Sequence, residues 1–117
     1  MEKSDIIKKA KSEWASPIVI TAKKSTKPEE YMPRLCIDYC HLNAITKKDC
    51  QPLPNIEHVL ATLGNGPKYF TSLDLFSGYH QIGMTPEAIE RSAFITPRHT
   101  YVYLRMPFGL CNAPATF

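Results

Sequence analysis

Asp74 is an acid set between two leucines in the run Phe70-Thr71-Ser72-Leu73-Asp74-Leu75. Read as a strand, this run buries Leu73 and Leu75 and turns the carboxylate to the opposite face, where it can hold a metal ion. An aspartate so placed can equally serve as an edge-strand charge that discourages aggregation. Ser77 with His80 or His99 offers a second chemistry, a hydrolase pair. However, Ser77-Gly78-Tyr79-His80 lacks the Gly-x-Ser-x-Gly elbow that presents such a nucleophile. The four cysteines (Cys36, Cys40, Cys50 and Cys111) contain no CxxC pair, and His41 beside Cys40 has no second ligand pair to match it. They read as reduced thiols of an intracellular protein, not as a zinc site or disulfide framework.

Positive charge is concentrated toward one end. Residues 1–48 carry ten Lys or Arg against six Asp or Glu, and residues 49–117 carry four against five, within a net charge of +3. A basic front half can attract a polyanion or can simply be a solvated lysine-rich face. At 117 residues the chain has the size of one small domain. Its hydrophobic fraction of 44% and charged fraction of 21% exclude a disordered tail. No apolar run approaches the ~20 residues needed to cross a bilayer. The charged start, Met1 to Trp14, lacks the apolar core of a secretory signal.

The elements that must position these residues are legible in part. Ser4 to Trp14 reads as a short helix or a frayed arm. Ile18-Val19-Ile20-Thr21 reads as a strand, Ser25 to Pro33 as a mobile loop, and Arg34 to Tyr39 as a second strand. Leu35, Ile37 and Tyr39 share one face of that strand, and Arg34, Cys36 and Asp38 the other. The two strands predict a hairpin with a long basic tip. Ile56, Val59, Leu60 and Leu63 follow the i, i+3, i+4, i+7 stripe of a helix, with Asn55 as N-cap and Gly64 as stop. A strand is expected from Tyr69 to Leu75 and one helical turn over Pro86 to Glu90. A hairpin of 93–96 with 101–104 turns across Pro97-Arg98-His99-Thr100. A helix opens at Asn112 with Pro114 in its first turn.

The words around these residues are more specific. Ser72-Leu73-Asp74-Leu75-Phe76-Ser77-Gly78-Tyr79-His80-Gln81-Ile82 resembles the first palm motif of reverse transcriptases from gypsy-type long-terminal-repeat retrotransposons. Met106-Pro107-Phe108-Gly109-Leu110-Cys111-Asn112-Ala113-Pro114-Ala115-Thr116-Phe117 resembles a later motif of the same family almost letter for letter. Trp14-Ala15-Ser16-Pro17-Ile18-Val19, and Arg34-Leu35-Cys36-Ile37-Asp38-Tyr39 with Leu42-Asn43, resemble its fingers motifs. The four words stand in the family's order over roughly residues 12–117.

The resemblance implies an α+β fold, a partial right-hand polymerase made of fingers plus the first palm strands. It implies one partial domain over 1–117, with about 1–68 mostly fingers and connecting helix and about 69–117 the N-terminal palm portion. The activity implied is RNA-directed DNA polymerisation by two-metal nucleotidyl transfer to a primer 3′-hydroxyl. Asp74 matches the aspartate that binds both Mg²⁺ ions, and the Leu75 carbonyl is a further ligand. Tyr79 matches the ring beneath the incoming sugar that excludes a 2′-hydroxyl, and Gly78 beside it leaves room for a ligand. Arg34 matches the arginine that grips the triphosphate, and Lys23, or Lys24 in its place, the lysine reaching the γ-phosphate. Phe108 and Gly109 match the lining of the nucleotide pocket.

Two departures stand out. Cys40 replaces an arginine usual in the family, and the chain contains no Asp-Asp pair, so the expected piece stops before the double-aspartate motif. Palm strands 69–75 and 101–106 would then have open edges. Expected partners are a primed RNA or DNA template, deoxynucleoside triphosphates and the remainder of the Pol polyprotein (palm, thumb and ribonuclease H), with no membrane. The expected location is intracellular, in a cytoplasmic particle or the nucleus. Two other readings stay open: a retroelement remnant that only binds nucleic acid, and a nonfunctional fragment.

Overall fold

The computed structural model describes residues 4–22, 33–51, 55–64, 66 and 68–117. Strands and short helices mix, as an α+β chain requires. Strands β1 (Ile7–Lys9), β5 (Thr100–Tyr103) and β4 (Phe94–Ile95) form an antiparallel sheet in the order β1-β5-β4. Strands β2 (Ile18–Ala22) and β3 (Pro33–Ile37) form the expected antiparallel hairpin, with Ile18 opposite Ile37 and Thr21 opposite Arg34. Its tip, including the expected loop from Ser25, lies outside the described residues.

The first strand corrects the reading of Ser4 to Trp14 as a helix or arm. Its lysine-rich sequence carries no strand pattern; it becomes a strand because β5 offers it a free edge. Ile7 pairs with Tyr103 and Lys9 with Tyr101, and the Leu104 amide donates to the Ile6 carbonyl at 2.8 Å. β5 is therefore the central strand, which overturns the expectation of an open edge there. Ser16 extends the sheet with a parallel bridge to Phe94. The Asp38 amide then donates to the Pro17 carbonyl at 2.9 Å, tying the β2–β3 hairpin to the same region.

The core is small and aromatic. Phe94 stacks on Tyr101 (5.7 Å) and packs against Tyr103 (5.3 Å), with Val102, Ala93, Met106 and Ala113 also buried. Burying a side chain such as Phe or Val stabilises the fold by about 1.5–3 kcal/mol. Tyr39, read as the end of a strand, instead caps helix α1 (Cys40–Ile45) and sits in this core at 2% exposure. Its hydroxyl donates to the Ser92 carbonyl at 2.8 Å, and burial pushes its ionisation well above the normal phenol range. Asp38 stabilises the same corner by accepting from the Cys40 amide at 2.9 Å. Hydrogen bonds from Cys40 hold the Asp38 carboxyl low, and Asp38 raises the Cys40 thiol. All four cysteines are free thiols, as expected.

Helix α2 (Ile56–Leu63) forms where the stripe places it, and Asn55 caps it by accepting from the Glu57 amide at 2.9 Å. Gly64 ends it in the right-handed region, not the left-handed one that glycine stops usually adopt. Helix α3 (Pro86–Arg91) starts at a Thr85 cap, and α4 (Ala113–Thr116) opens at Asn112 with Pro114 in its first turn. The β4–β5 hairpin forms as expected.

The run from Tyr69 to Leu75 is not a strand. It is irregular, and Tyr69 (93% exposed), Leu73 (87%) and Phe76 (90%) face solvent. The expected burial of Leu73 and Leu75 does not occur, because no described segment pairs with this run to form a ladder. The stripe of α2 is likewise exposed.

Two asparagines lock α1 to the segment after β5. Asn43 donates from Nδ2 to the Gly109 carbonyl (2.8 Å) and accepts at Oδ1 from the Cys111 amide (2.9 Å). Asn112 returns the arrangement, donating to the Lys47 carbonyl (2.9 Å) and accepting from the Asp49 amide (3.0 Å).

Three outcomes follow from this packing. Ser92→Ala removes the acceptor for the buried Tyr103 amide, an unsatisfied donor costing about 1–3 kcal/mol. Amide hydrogens of β5 should then exchange roughly 10- to 100-fold faster. Asn43→Ala should speed exchange of the Cys111 amide without disturbing β1. The exposed apolar surface of α2 and 69–76 should bind a hydrophobic dye and promote self-association; a sharp, concentration-independent thermal transition of a monomer would contradict this.

Candidate nucleotide-binding site

Arg34 reaches the site because the β2–β3 hairpin fixes β3, and Phe108 and Gly109 reach it because the asparagine clasp fixes their loop. These residues, far apart in sequence, line one cavity of about 660 Å³ together with Leu35, Cys36, Ile37, His80 and Tyr103. Gly109 has φ +95°, a left-handed conformation that glycine adopts freely and other residues at a cost of about 1–2 kcal/mol. A Cβ there would meet the Tyr39 ring only at ordinary contact distance, so the backbone conformation is what requires glycine.

Tyr79 adjoins the cavity through its ring, centred 5.0 Å from that of Phe108 and 5.4 Å from that of Phe117. It stands on a 3₁₀ turn, Gly78–Gln81, that begins at Ser77 in a left-handed conformation (φ 50°). That corner is held by the His80 amide donating to the Ser77 carbonyl (2.9 Å) and the Gln81 side chain donating to the Phe76 carbonyl (2.9 Å). The space expected beside Gly78 is taken by the Phe117 ring, whose edge lies 2.7 Å from where a Cβ would stand. The glycine thus admits an aromatic ring of this chain.

Asp74 is exposed, on the irregular run that leads into the Ser77 corner, and Leu75 precedes that corner by two residues. Neither lines the cavity that gathers Arg34, Phe108 and Gly109. Among the described residues no group of three or more His, Cys, Asp or Glu could hold a metal ion. Lys23 and Lys24 lie outside the described residues.

By sequence, His80 was legible only as a hydrolase base. Its Nδ1 lies 3.1 Å from the Met106 carbonyl, an acceptor only, so Nδ1 carries the proton. The ring stacks parallel to Tyr103 (6.1 Å) and stands edge-on to Phe108 (5.2 Å). It is a wall of the cavity, and its sole sequence signal was adjacency to Tyr79. Asn43 stood within a fingers motif with no role attached, because its partners are backbone groups of a distant loop. A second cavity, of about 420 Å³ between α1, α3 and residues 110–116, contains none of the expected site residues.

No helix of the described residues is long and apolar enough to cross a membrane. The reverse transcriptase (RNA-dependent DNA polymerase) family matches residues 21–117. The Retrovirus-related Pol polyprotein from transposon opus of Drosophila melanogaster is 47% identical over 112 residues, covering 96% of this chain and 11% of that protein. The corresponding polyprotein from transposon gypsy of the same species is 40% identical over 119 residues, covering 98% and 11%. Among solved structures, prototype foamy virus protease-reverse transcriptase matches with a TM-score of 0.77 and 28% identity, over 96% of this chain and 14% of that one. The chain thus spans about a tenth of the length of the curated relatives it matches. Enzymes of this family generally use divalent metal ions. By the family match, the polyprotein relatives and the solved fold together, this chain belongs to the reverse transcriptase family, of the retrotransposon gypsy type.

Proposed function

We propose that this chain supplies the incoming-nucleotide pocket and one catalytic carboxylate of an RNA-directed DNA polymerase. The observation that carries the reading is the convergence of Arg34, Phe108 and Gly109 on one cavity, with the Tyr79 ring packed on Phe108. The substrates are a deoxynucleoside triphosphate and a primed RNA or DNA template. The primer 3′-hydroxyl oxygen bonds to the α-phosphorus, pyrophosphate leaves, and the hydroxyl proton is lost.

Each residue then has a physical task. The Arg34 guanidinium binds triphosphate oxygens in bidentate fashion and neutralises their charge. The γ-phosphate contact belongs to Lys23 or Lys24. Phe108 and Gly109 form the floor near the template base, where the absence of a side chain on Gly109 permits close approach. Tyr79 walls off the sugar so that a 2′-hydroxyl collides with the ring, a discrimination by steric exclusion. The Phe117 ring over Gly78 also packs edge-on against Tyr79 and supports it.

The Asp74 carboxylate and the Leu75 carbonyl are the groups of this chain that would hold two Mg²⁺, hard ions that favour oxygen ligands. When bound, the ions stabilise charge on the attacking and leaving oxygens. The exposure of Asp74 fits this task, since an ion held there remains open to substrate phosphates. The remaining carboxylates belong to the rest of the Pol polyprotein, which also supplies thumb and ribonuclease H. Residues to about 68 act as fingers and connecting helix, and those from about 69 as palm.

Alone, the chain should add no deoxynucleotide to a primed RNA template, since one carboxylate cannot by itself assemble a two-metal clamp. Joined to a related element's downstream palm and thumb, it should synthesise. In that chimera Asp74→Asn should reduce incorporation by several orders of magnitude and leave duplex binding largely unchanged. Tyr79→Ala should keep synthesis and admit ribonucleotides. Primer extension by the Asp74→Asn chimera at the parent rate would refute the assignment.

A further inference from the structure

The sheet gathers basic residues that the sequence keeps far apart. Lys9 lies opposite Tyr101 in the β1–β5 pairing, which sets it beside the β4–β5 turn carrying Arg98 and His99. A concavity of about 420 Å³ there is lined by Lys9, Thr96, Pro97, Arg98, His99 and Tyr101. An adjoining one of about 360 Å³ shares Lys9 and His99 and adds Lys11. Among the described residues no carboxylate lines either, and Lys9, Lys11, Arg98 and His99 are all exposed.

The supports of these charges are fixed. Thr96 Oγ1 donates to the His99 carbonyl (2.7 Å) and accepts from the amides of Arg98 (3.3 Å) and His99 (2.9 Å), closing the turn. The Ala10 amide donates to the Thr100 carbonyl (3.2 Å), holding the chain between Lys9 and Lys11 against the same strand. The His99 ring stands edge-on to Tyr101 at 6.2 Å. Among the described residues, neither concavity shares a lining residue with the cavity of Arg34, Phe108 and Gly109. Yet Tyr101 of the basic edge and Tyr103 of the nucleotide cavity are two residues apart on β5, on one face of the strand.

We propose that Lys9, Lys11, Arg98 and His99 form a second anion site, separate from the nucleotide cavity, that holds the sugar–phosphate backbone of a nucleic-acid strand without reading its bases. Two adjoining basic hollows that share a wall suit a polymer of repeated phosphates better than a single phosphate. Phosphate contacts of this kind position a strand and carry no sequence information. The identity of the polyanion rests on the polymerase function proposed for the nucleotide cavity. The binding itself requires no synthesis, so failure of the Asp74 experiment leaves it standing.

The test is fluorescence anisotropy of a dye-labelled RNA–DNA primer–template duplex over a range of salt. The substitution Lys9→Gln with Lys11→Gln and Arg98→Gln should weaken binding tenfold or more at low salt. It should also flatten the dependence of log affinity on log salt by about 2–3, near 0.9 for each phosphate that is no longer neutralised. A charge-matched variant, Lys8→Gln with Lys47→Gln and Lys48→Gln, should stay near the parent. In the unmodified chain the duplex should protect Lys9 and Lys11 from acetylation more than Lys8, as read by peptide mapping. An unchanged slope in the first variant, an equal weakening in the charge-matched one, or equal acetylation of the three lysines overturns the proposal.

Discussion

Ser92 is 1% exposed, and its polar groups join three parts of the chain. Its hydroxyl donates to the Ile89 carbonyl in α3 (2.7 Å) and accepts from the Tyr103 amide in β5 (2.9 Å). Its carbonyl accepts from the Tyr39 hydroxyl (2.8 Å) where β3 passes into α1. In a low-dielectric interior such bonds are strong when all are made and costly when one is missing. Among the described residues no buried side-chain polar atom lacks a partner. The consequence reaches the site: Tyr39 anchors the end of the hairpin that carries Arg34, and Tyr103 is a wall of the cavity Arg34 enters. The bonds at Ser92 therefore help set the distance between Arg34 and Tyr103 across the cavity.

The asparagine clasp does the same for the other wall. Gly109 is held in a left-handed conformation with its carbonyl on Asn43, and the amide of Cys111 returns to the same side chain. With so few buried apolar side chains, geometry in this part of the molecule depends on directional bonds more than on bulk packing. A hydrogen bond fixes an angle as well as a distance, so these bonds set the shape of the cavity wall. Many of the large apolar side chains left outside the core lie on α2 and on 69–76, near Asp74 in sequence, and others on the β2–β3 hairpin.

Electrostatics is likewise sorted by folding. By sequence, the positive charge belongs to the front half. In the structure Arg34 joins Phe108 and Gly109 at one cavity, while Lys9 and Lys11 join Arg98 and His99 from the back half. The net charge of the front half says nothing about this division, because strand pairing, not sequence proximity, brings the charges together.

The sequence by itself determined the family, the α2 helix with its Asn55 cap and both hairpins, and it singled out Arg34, Phe108 and Gly109, which meet at one cavity. These rest on local signals: periodicity, caps, turn residues, and motif words whose chemistry constrains adjacent positions. Only the tertiary structure decided that Ile7–Lys9 is a strand, that Tyr39 leaves β3 to cap α1, and that His80 and Asn43 shape the cavity. Each depends on a partner far away in the chain that leaves no periodic trace near the residue itself. The run at Asp74 shows the converse. Alternation in Leu73-Asp74-Leu75 specifies which face a strand would bury, but a strand exists only when another backbone completes its hydrogen bonds, and here none of the described segments does.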